Sequence, residues 1–431
     1  MEISNLELKR VLQEQRRAFE SKPKGIEREV LAGLAGKAKL PHIVAITGVR
    51  RSGKSTLLRQ IADRYCNDGY YYVTFEDERL KGFDPREFNR IYGALLELFG
   101  ERRTFLIDEI QEVAGFESFV RRLYEEGFKF YITGSNSRLL GSELASKLTG
   151  RHVDVSVEPF SFREFLSARG FVFDSKMLLD TRSVARIKTL FGEYLSGGGM
   201  PEFVVYGDPE TLMRTYEDIV TKDIIIKERV KNSAQLRELY RYMLSNFSKK
   251  FSFNSLNSLV RLGSVNTVQK YVELMERAYL GKVIRKFDYS IKKQMVNDRK
   301  LYPADSGFVK VVSAKIAEGR GWFLESLVFN RLKRSGEVFY YKGKSECDFV
   351  VSSGGAVSSA VQVCYELNVD NRKRESDGLA EAMDALNLKE GLILTYDQEE
   401  EHKEGPKKIT VLPVWKWLLL WTEKPGGTQS P

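Results

Sequence analysis

The chain has 431 residues, 42% of them hydrophobic and 29% charged, with a formal net charge of +9. That length exceeds what one ordinary core organises and predicts about three domains, while mixed charge signs, 11 scattered prolines and 34 glycines exclude a disordered or collagen-like chain. Three cysteines and three histidines in unrelated segments exclude a disulfide framework and a zinc cage, and the positive balance suits a polyanionic partner such as DNA.

Met1-Glu2-Ile3-Ser4-Asn5 opens without an apolar run, and the longest apolar stretch, Trp417 to Trp421, is far below the roughly 20 residues that cross a bilayer. The expectation is a cytoplasmic protein with no membrane partner. Residues 1–35 read as a polar helical arm, amphipathic from residue 6 onward. From His42, short apolar runs alternate with helical periods, which predicts an α/β core over 36–160, a parallel sheet wrapped by helices. The runs are His42 to Ile46, Tyr70 to Phe75, Thr104 to Ile107 and Lys129 to Thr133, with helices near 55–66, 85–99 and 116–126.

The octapeptide Gly48-Val49-Arg50-Arg51-Ser52-Gly53-Lys54-Ser55 has the spacing of a phosphate-binding loop. Its glycines let consecutive backbone N–H groups turn toward phosphates. Lys54 reaches the β and γ oxygens, and Ser55 offers a hydroxyl to Mg²⁺. A strand precedes the loop and a helix, Ser55-Thr56-Leu57-Leu58, follows it, so the helix dipole points at the anion. Gly48, Arg50, Arg51, Ser52, Gly53, Lys54, Ser55 and Thr56 are therefore the expected nucleotide contacts, with ATP and Mg²⁺ as ligands.

Downstream, the strand Thr104-Phe105-Leu106-Ile107 ends in Asp108-Glu109, where Asp108 suits the magnesium shell and Glu109 the attacking water. A further strand ends in Thr133-Gly134-Ser135-Asn136-Ser137, making Asn136 or Ser135 the candidate γ-phosphate sensor. Arg151 is a candidate arginine finger, in cis or from a neighbouring copy.

After Pro159 the strands stop, and 161–235 reads as a helical lid broken at Gly197-Gly198-Gly199-Met200-Pro201. Residues 236–300 carry three helical periods and then an apolar-basic pair of strands, the order of a winged helix. In the helix starting at Val265, Asn266, Thr267, Gln269 and Lys270 lie away from the apolar stripe. Lys282, Arg285, Lys286, Lys292, Lys293, Arg299 and Lys300 follow as a phosphate-suited cluster. Residues 301–423 alternate strands and helices again, and 424–431 read as a disordered tail.

Together these motifs resemble one family, bacterial and archaeal AAA+-type ATPases whose C-terminal part looks like the restriction-endonuclease superfamily. The matching stretches include Phe105-Leu106-Ile107-Asp108-Glu109-Ile110-Gln111, Pro159-Phe160-Ser161-Phe162-Arg163-Glu164-Phe165, Gly198-Gly199-Met200-Pro201-Glu202 and Leu301-Tyr302-Pro303-Ala304-Asp305-Ser306-Gly307. The resemblance implies ATP hydrolysis and a multidomain machine, with a ring-like homo-oligomer or a monomer both compatible. A nuclease of that superfamily needs a helix glutamate, a strand aspartate and a Glu-x-Lys on the next strand. Glu325 and Asp348 fit the first two, but the third reads Gln362-x-Cys364, losing one anion and the cation. Lys342 and Lys344 stand upstream as candidates for the missing charge. The expected function is an ATPase coupled to DNA, without cleavage; the alternatives are an ATP-gated switch for a protein partner and a metal-dependent nuclease.

Overall fold

The computed structural model describes residues 3–135, 150–313, 319–404 and 407–421. The chain forms two compact units, Met1–Glu164 with Arg277–Tyr279, and Phe165–Glu276 with Leu280–Pro431. Among the described residues no helix is long and apolar enough to cross a membrane.

The first unit opens with α1 (Asn5–Ser21), capped by Ser4, whose hydroxyl accepts from the Glu7 N–H at 3.2 Å. Leu8, Val11, Leu12, Gln15 and Phe19 form its buried stripe at helical spacing. The arm is two helices rather than one. Pro23 disfavours helical geometry at Lys22, Gly25 takes a left-handed φ of 62°, and α2 (Glu29–Lys39) starts afresh.

Five strands follow, β1 (Ile43–Thr47), β2 (Tyr71–Thr74), β3 (Thr104–Asp108), β4 (Lys129–Gly134) and β5 (His152–Ser156). Three helices cross between the first four: α3 (Lys54–Tyr65), α4 (Phe88–Phe99) and α5 (Phe116–Glu125). The sheet order is β2-β3-β4-β1-β5, parallel throughout. Every residue of β1 is buried, because helices cover both faces. Its two-residue period splits the core into two layers. Ile43 and Ala45 pack with Phe105, Ile107 and Phe130, while Val44 and Ile46 meet Leu57, Leu58 and Ile61. β5 escapes a reading by apolar runs, since His152-Val153-Asp154-Val155-Ser156 is an edge strand with polar positions. All five strands run the same way, so the chain segments leaving β1, β3 and β4 gather at one edge, where open α/β sheets bind ligands.

The helix α6 (Phe162–Ala168) spans the boundary, and α7 (Thr181–Gly197), α8 (Pro201–Tyr206) and α9 (Pro209–Asp218) begin the second unit. A π-helical run, Ile219–Ile226, leads to α10 (Ser233–Ser245), β6 (Lys250–Phe251), α11 (Phe253–Val260) and α12 (Val265–Arg277). Next come β7 (Gly281–Arg285), α13 (Ile291–Val296) and β8 (Arg299–Pro303), the three strands ordered β6-β8-β7. The apolar-basic segment is thus two strands separated by a short helix that carries Lys292 and Lys293.

After α14 (Ser306–Val312) and α15 (Arg320–Leu332) come β9 (Glu337–Lys342), β10 (Glu346–Ser353) and β11 (Ala356–Val363). The chain continues through α16 (Arg372–Ala385), β12 (Glu390–Thr395), β13 (Glu400–Glu404), β14 (Lys407–Pro413) and α17 (Val414–Leu420). Six strands form a mixed sheet, β13-β14-β12-β11-β10-β9. Within this unit two of the glycine-containing motifs meet at one carboxylate. Asp305 caps α14 through the Gly307 N–H at 2.8 Å and accepts the Gly199 N–H at 2.7 Å. A Cβ on Gly198 would lie 1.9 Å from Asp305 Oδ1, and its φ is 80°, so only glycine fits there.

Candidate nucleotide-binding site

The loop between β1 and α3 has the backbone its sequence requires. Gly48, Arg51 and Gly53 have φ of 148°, 62° and 96°. A Cβ on Gly48 would lie 2.2 Å from the Val157 carbonyl oxygen, so a side chain there would drive the loop off β5's continuation. Gly53 is the N-cap of α3, whose first turn carries Lys54, Ser55 and Thr56. The Lys54 ammonium is buried and lies 3.2 Å from the Gly48 oxygen, 3.3 Å from the Val49 oxygen and 3.8 Å from Glu109 Oε1. The buried Ser52 hydroxyl has no hydrogen-bond partner among the described residues. A loop of turned amides with a lysine, a helix N-terminus and an unsatisfied hydroxyl fits a polyphosphate.

The adjoining strands complete the site. Ser55 and Asp108 line one cavity, so the two residues expected to share a metal stand together, at the start of α3 and the end of β3. Thr133 at the end of β4 donates its hydroxyl to Asp108 and accepts the Glu109 N–H at 2.9 Å. Glu109 sits at a left-handed φ of 51°, its carboxylate accepting from Gln111 and from the Ser135 N–H at 3.2 Å. Burial, reinforced by the neighbouring Glu109 charge, holds Asp108 above the usual carboxylate range against the Thr133 and Ser55 hydroxyls and Lys54. Burial also acts upward on Glu109, but Lys54, Gln111, Ser135 and Arg50 outweigh it and keep that carboxyl low. The two adjacent acids are thus shifted in opposite directions. A cavity of about 410 Å³, lined in part by Gln15, Phe19, Tyr72 and Thr74, borders Ser55 and Asp108.

Other expected residues fall elsewhere. Asn136 lies outside the described residues. Arg50 is 3.9 Å from Glu76, and Arg51 is exposed at the loop's crest. Arg151 is not a finger for its own site. Its carbonyl accepts the Ile43 N–H at 2.8 Å at the start of β1, and its guanidinium lies 3.2 Å from Glu125. The P-loop leaves β1 at the far end, about 13 Å away at ~3.3 Å per strand residue. Conversely, Thr133 and Arg28 do reach the site, although neither stood out in sequence. The Arg28 guanidinium meets the Ser52 carbonyl from a segment whose only local signal is the Pro23 and Gly25 helix break.

In the second unit, Lys270, Lys282, Arg285, Lys292 and Lys293 are exposed and Lys286 half-buried. Lys282 pairs with Glu276 at 3.0 Å. Arg299 folds over the Phe253 ring at 4.4 Å and donates to the Met295 oxygen at 2.8 Å. Lys300 does not belong to a phosphate-facing cluster. It is 4% exposed, and its ammonium lies 3.0 Å from Glu346, 3.4 Å from Glu325 and 3.6 Å from Asp348. Burial alone would lower Lys300, but Tyr302 and the surrounding carboxylates hold it well above the usual lysine range.

Lys300 is therefore the cation in the acidic centre, a place for which the sequence offered Lys342 and Lys344 only as candidates; Lys344 is exposed. Each acid there has internal partners. Glu325 accepts from the Tyr302 hydroxyl, Asp348 from the Val363 N–H at 3.0 Å, and Glu346 from Lys250. The Gln362 side chain accepts the Asp348 N–H at 3.2 Å and donates to Glu375 at 2.6 Å. Among the described residues no three His, Cys, Asp or Glu side chains are arranged to hold a metal ion. Cys364 is buried, its thiol pushed up to about 12 by desolvation, so it is no nucleophile.

The parallel sheet, phosphate loop and paired acids are those of a P-loop nucleotide-binding fold, and residues 40–166, which carry them, match the family described as AAA domain. Residues 188–317 match a domain of unknown function, DUF8612. An uncharacterized protein of Methanocaldococcus jannaschii, MJ1544, is 32% identical over 404 residues, spanning 88% of each chain. An uncharacterized protein of Haemophilus influenzae is 31% identical over 395 residues, spanning 88% of this chain and 94% of that one. The chain belongs to the family of these proteins. AMPPCP-bound DnaA from Aquifex aeolicus and the RuvB Holliday junction branch migration motor from Thermotoga maritima are each 15% identical to it, with TM-scores of 0.26 and 0.29. They cover 57% and 60% of this chain and 86% and 92% of their own. Similarity of that degree identifies no shared ligand or partner.

Proposed function

We propose that the first unit hydrolyses ATP with Mg²⁺ and that the cycle acts on DNA through the second. The observation that carries the ATPase reading is the buried Lys54 ammonium, 3.8 Å from Glu109, beside an Asp108 that shares a cavity lining with Ser55. Ser55 and Asp108 would hold Mg²⁺, which supplies charge neutralisation to the phosphate oxygens. Lys54 adds a second positive charge there. Glu109, ionised and backed by Gln111 and the Ser135 amide, orients the attacking water and accepts its proton. Ser135 and Thr133 are placed to register the γ-phosphate through the two acids they touch.

The DNA reading draws support from the order α10-β6-α11-α12-β7-α13-β8, that of a winged helix with a short helix between its last two strands. Asn266, Gln269 and Lys270 are exposed on α12, and Arg285, Lys292 and Lys293 on β7 and α13. The α15, β9 to β11, α16 and β12 succession is similar to a restriction-endonuclease core, here with a lysine-filled acidic centre that favours a binding role over cleavage. ATP turnover measured with and without duplex, forked and single-stranded DNA tests the coupling; DNA should accelerate it.

A second reading, an ATP-gated switch for a protein partner, is favoured by the exposed Tyr289, Ile291, Met295 and Val296 beside those basic residues. Under it, DNA leaves turnover unchanged.

A further inference from the structure

Arg28 is a charged side chain 3% exposed, on the short segment between α1 and α2. Burying a guanidinium is costly unless its fork of donors is used, and here it is used in three directions. One nitrogen donates to the Ser52 carbonyl of the phosphate loop at 2.6 Å. A second donates to the Glu158 carbonyl at 2.6 Å, and Nε donates to Glu164 Oε1 at 2.9 Å. The ring of Phe160 lies 5.2 Å from the guanidinium carbon. Glu164 is equally buried and also accepts the Glu29 N–H at 2.7 Å and the Ser161 N–H at 2.9 Å. Gln60 of α3 accepts the Arg28 N–H at 3.2 Å and donates to the Lys24 and Ile26 carbonyls, both at 2.8 Å. The segment carrying Arg28 is thereby fixed to the helix that follows the loop.

One planar group therefore joins the back of the phosphate loop to Glu158 and Glu164. These bracket the last stretch of the first unit before the chain passes into the second. The loop carbonyl it grips belongs to the residue whose own hydroxyl is buried without a hydrogen-bond partner among the described residues, so a phosphate drawing on Ser52 and its neighbouring amides acts on the same peptide that Arg28 holds.

We infer that Arg28 is a positioning residue that transmits the state of the phosphate loop to the Glu158–Glu164 segment. The inference rests on the ATP-binding reading. It assigns Arg28 no contact with nucleotide. Glu164 serves as the anchor that keeps the fork aligned.

The experiment is hydrogen exchange of the full-length chain with and without ATP and Mg²⁺, alongside direct titration of ATP binding. In the wild type, nucleotide should slow exchange of amides within 158–164 by about tenfold, as restriction of a local opening does. Arg28→Lys keeps the charge beside Glu164 but cannot span three acceptors. It should bind ATP about tenfold more weakly, the order of one charged hydrogen bond, and show no nucleotide-dependent protection at 158–164 even when saturated. Arg28→Met with Glu164→Gln removes both charges together, leaving no unpaired ion, and should behave alike while remaining folded. Protection at 158–164 that persists in either saturated variant overturns the inference, as does its absence in a wild type that binds ATP. A wild type that fails to bind ATP in the titration overturns the ATP reading itself, and the inference with it.

Discussion

The Lys300 ammonium lies 3.6 Å from Asp348 Oδ1, inside the buried acidic centre that it shares with Glu325 and Glu346. Divalent cations need several anionic oxygens facing one point, whereas here Glu325, Glu346 and Asp348 face the Lys300 ammonium. We expect no Mg²⁺- or Mn²⁺-dependent cleavage of duplex, single-stranded or branched DNA. If the wild type cuts and Asp348→Ala does not, the centre binds metal despite the lysine. Lys300→Met should destabilise the protein by about 3–5 kcal/mol, because it leaves buried acids uncompensated. Lys292→Ala, on an exposed helix, should change stability by less than about 0.5 kcal/mol. Urea unfolding compares the two.

Lys54→Ala should abolish ATP binding or hydrolysis, since the loop then lacks the charge that meets the β and γ oxygens. Glu109→Gln should bind ATP with little change and hydrolyse it about 10²- to 10⁴-fold more slowly, the range for loss of a general base. Turnover at the wild-type rate in either variant assigns the chemistry elsewhere. A titration paired with phosphate release separates the two effects.

Replacing Arg285, Lys286, Lys292 and Lys293 with alanine should weaken DNA binding across all sequences. It should also flatten the salt dependence, by about 0.9 in the log–log slope per lost phosphate contact. Lys300 is left out of this set because it is buried. Fluorescence anisotropy at several salt concentrations reads both quantities, and an unchanged slope removes this segment from the interface.

The Asp305 carboxyl sits at about 7, pushed up by burial against the Gly199 and Gly307 N–H groups that act downward. The unfolded reference is about 3.9, so the folded chain holds the proton more tightly. That contribution to stability is fully present below about pH 4 and is lost as pH rises through about 7. The urea midpoint should therefore fall between pH 5 and 8. Asp348, pushed up to about 8 by burial, adds in the same direction. Asp305→Asn should accordingly remove part of the slope and not all of it. A wild-type slope in that variant would show that Asp305 contributes nothing to the pH dependence.

Sequence alone was enough for the elements whose chemistry is local. Gly48 to Ser55 is legible because phosphate binding needs turned backbone, a lysine and a hydroxyl at consecutive positions. β1 to β4 are legible because strands buried on both faces must be apolar throughout. Asp108 and Glu109 follow from a strand that ends in acids. The pairings that gather distant residues were decided only by tertiary structure. β5 sets Arg151 at the wrong end of the sheet for its own site. The break at Pro23 and Gly25 carries Arg28 to a carbonyl 24 positions away and a carboxylate 136 away. Lys300 looks like one more basic residue in a run of them, until β8 buries it against α15 and β10. A lysine's sequence neighbours state its charge, but only the packing around it determines whether that charge meets solvent, a phosphate or three carboxylates.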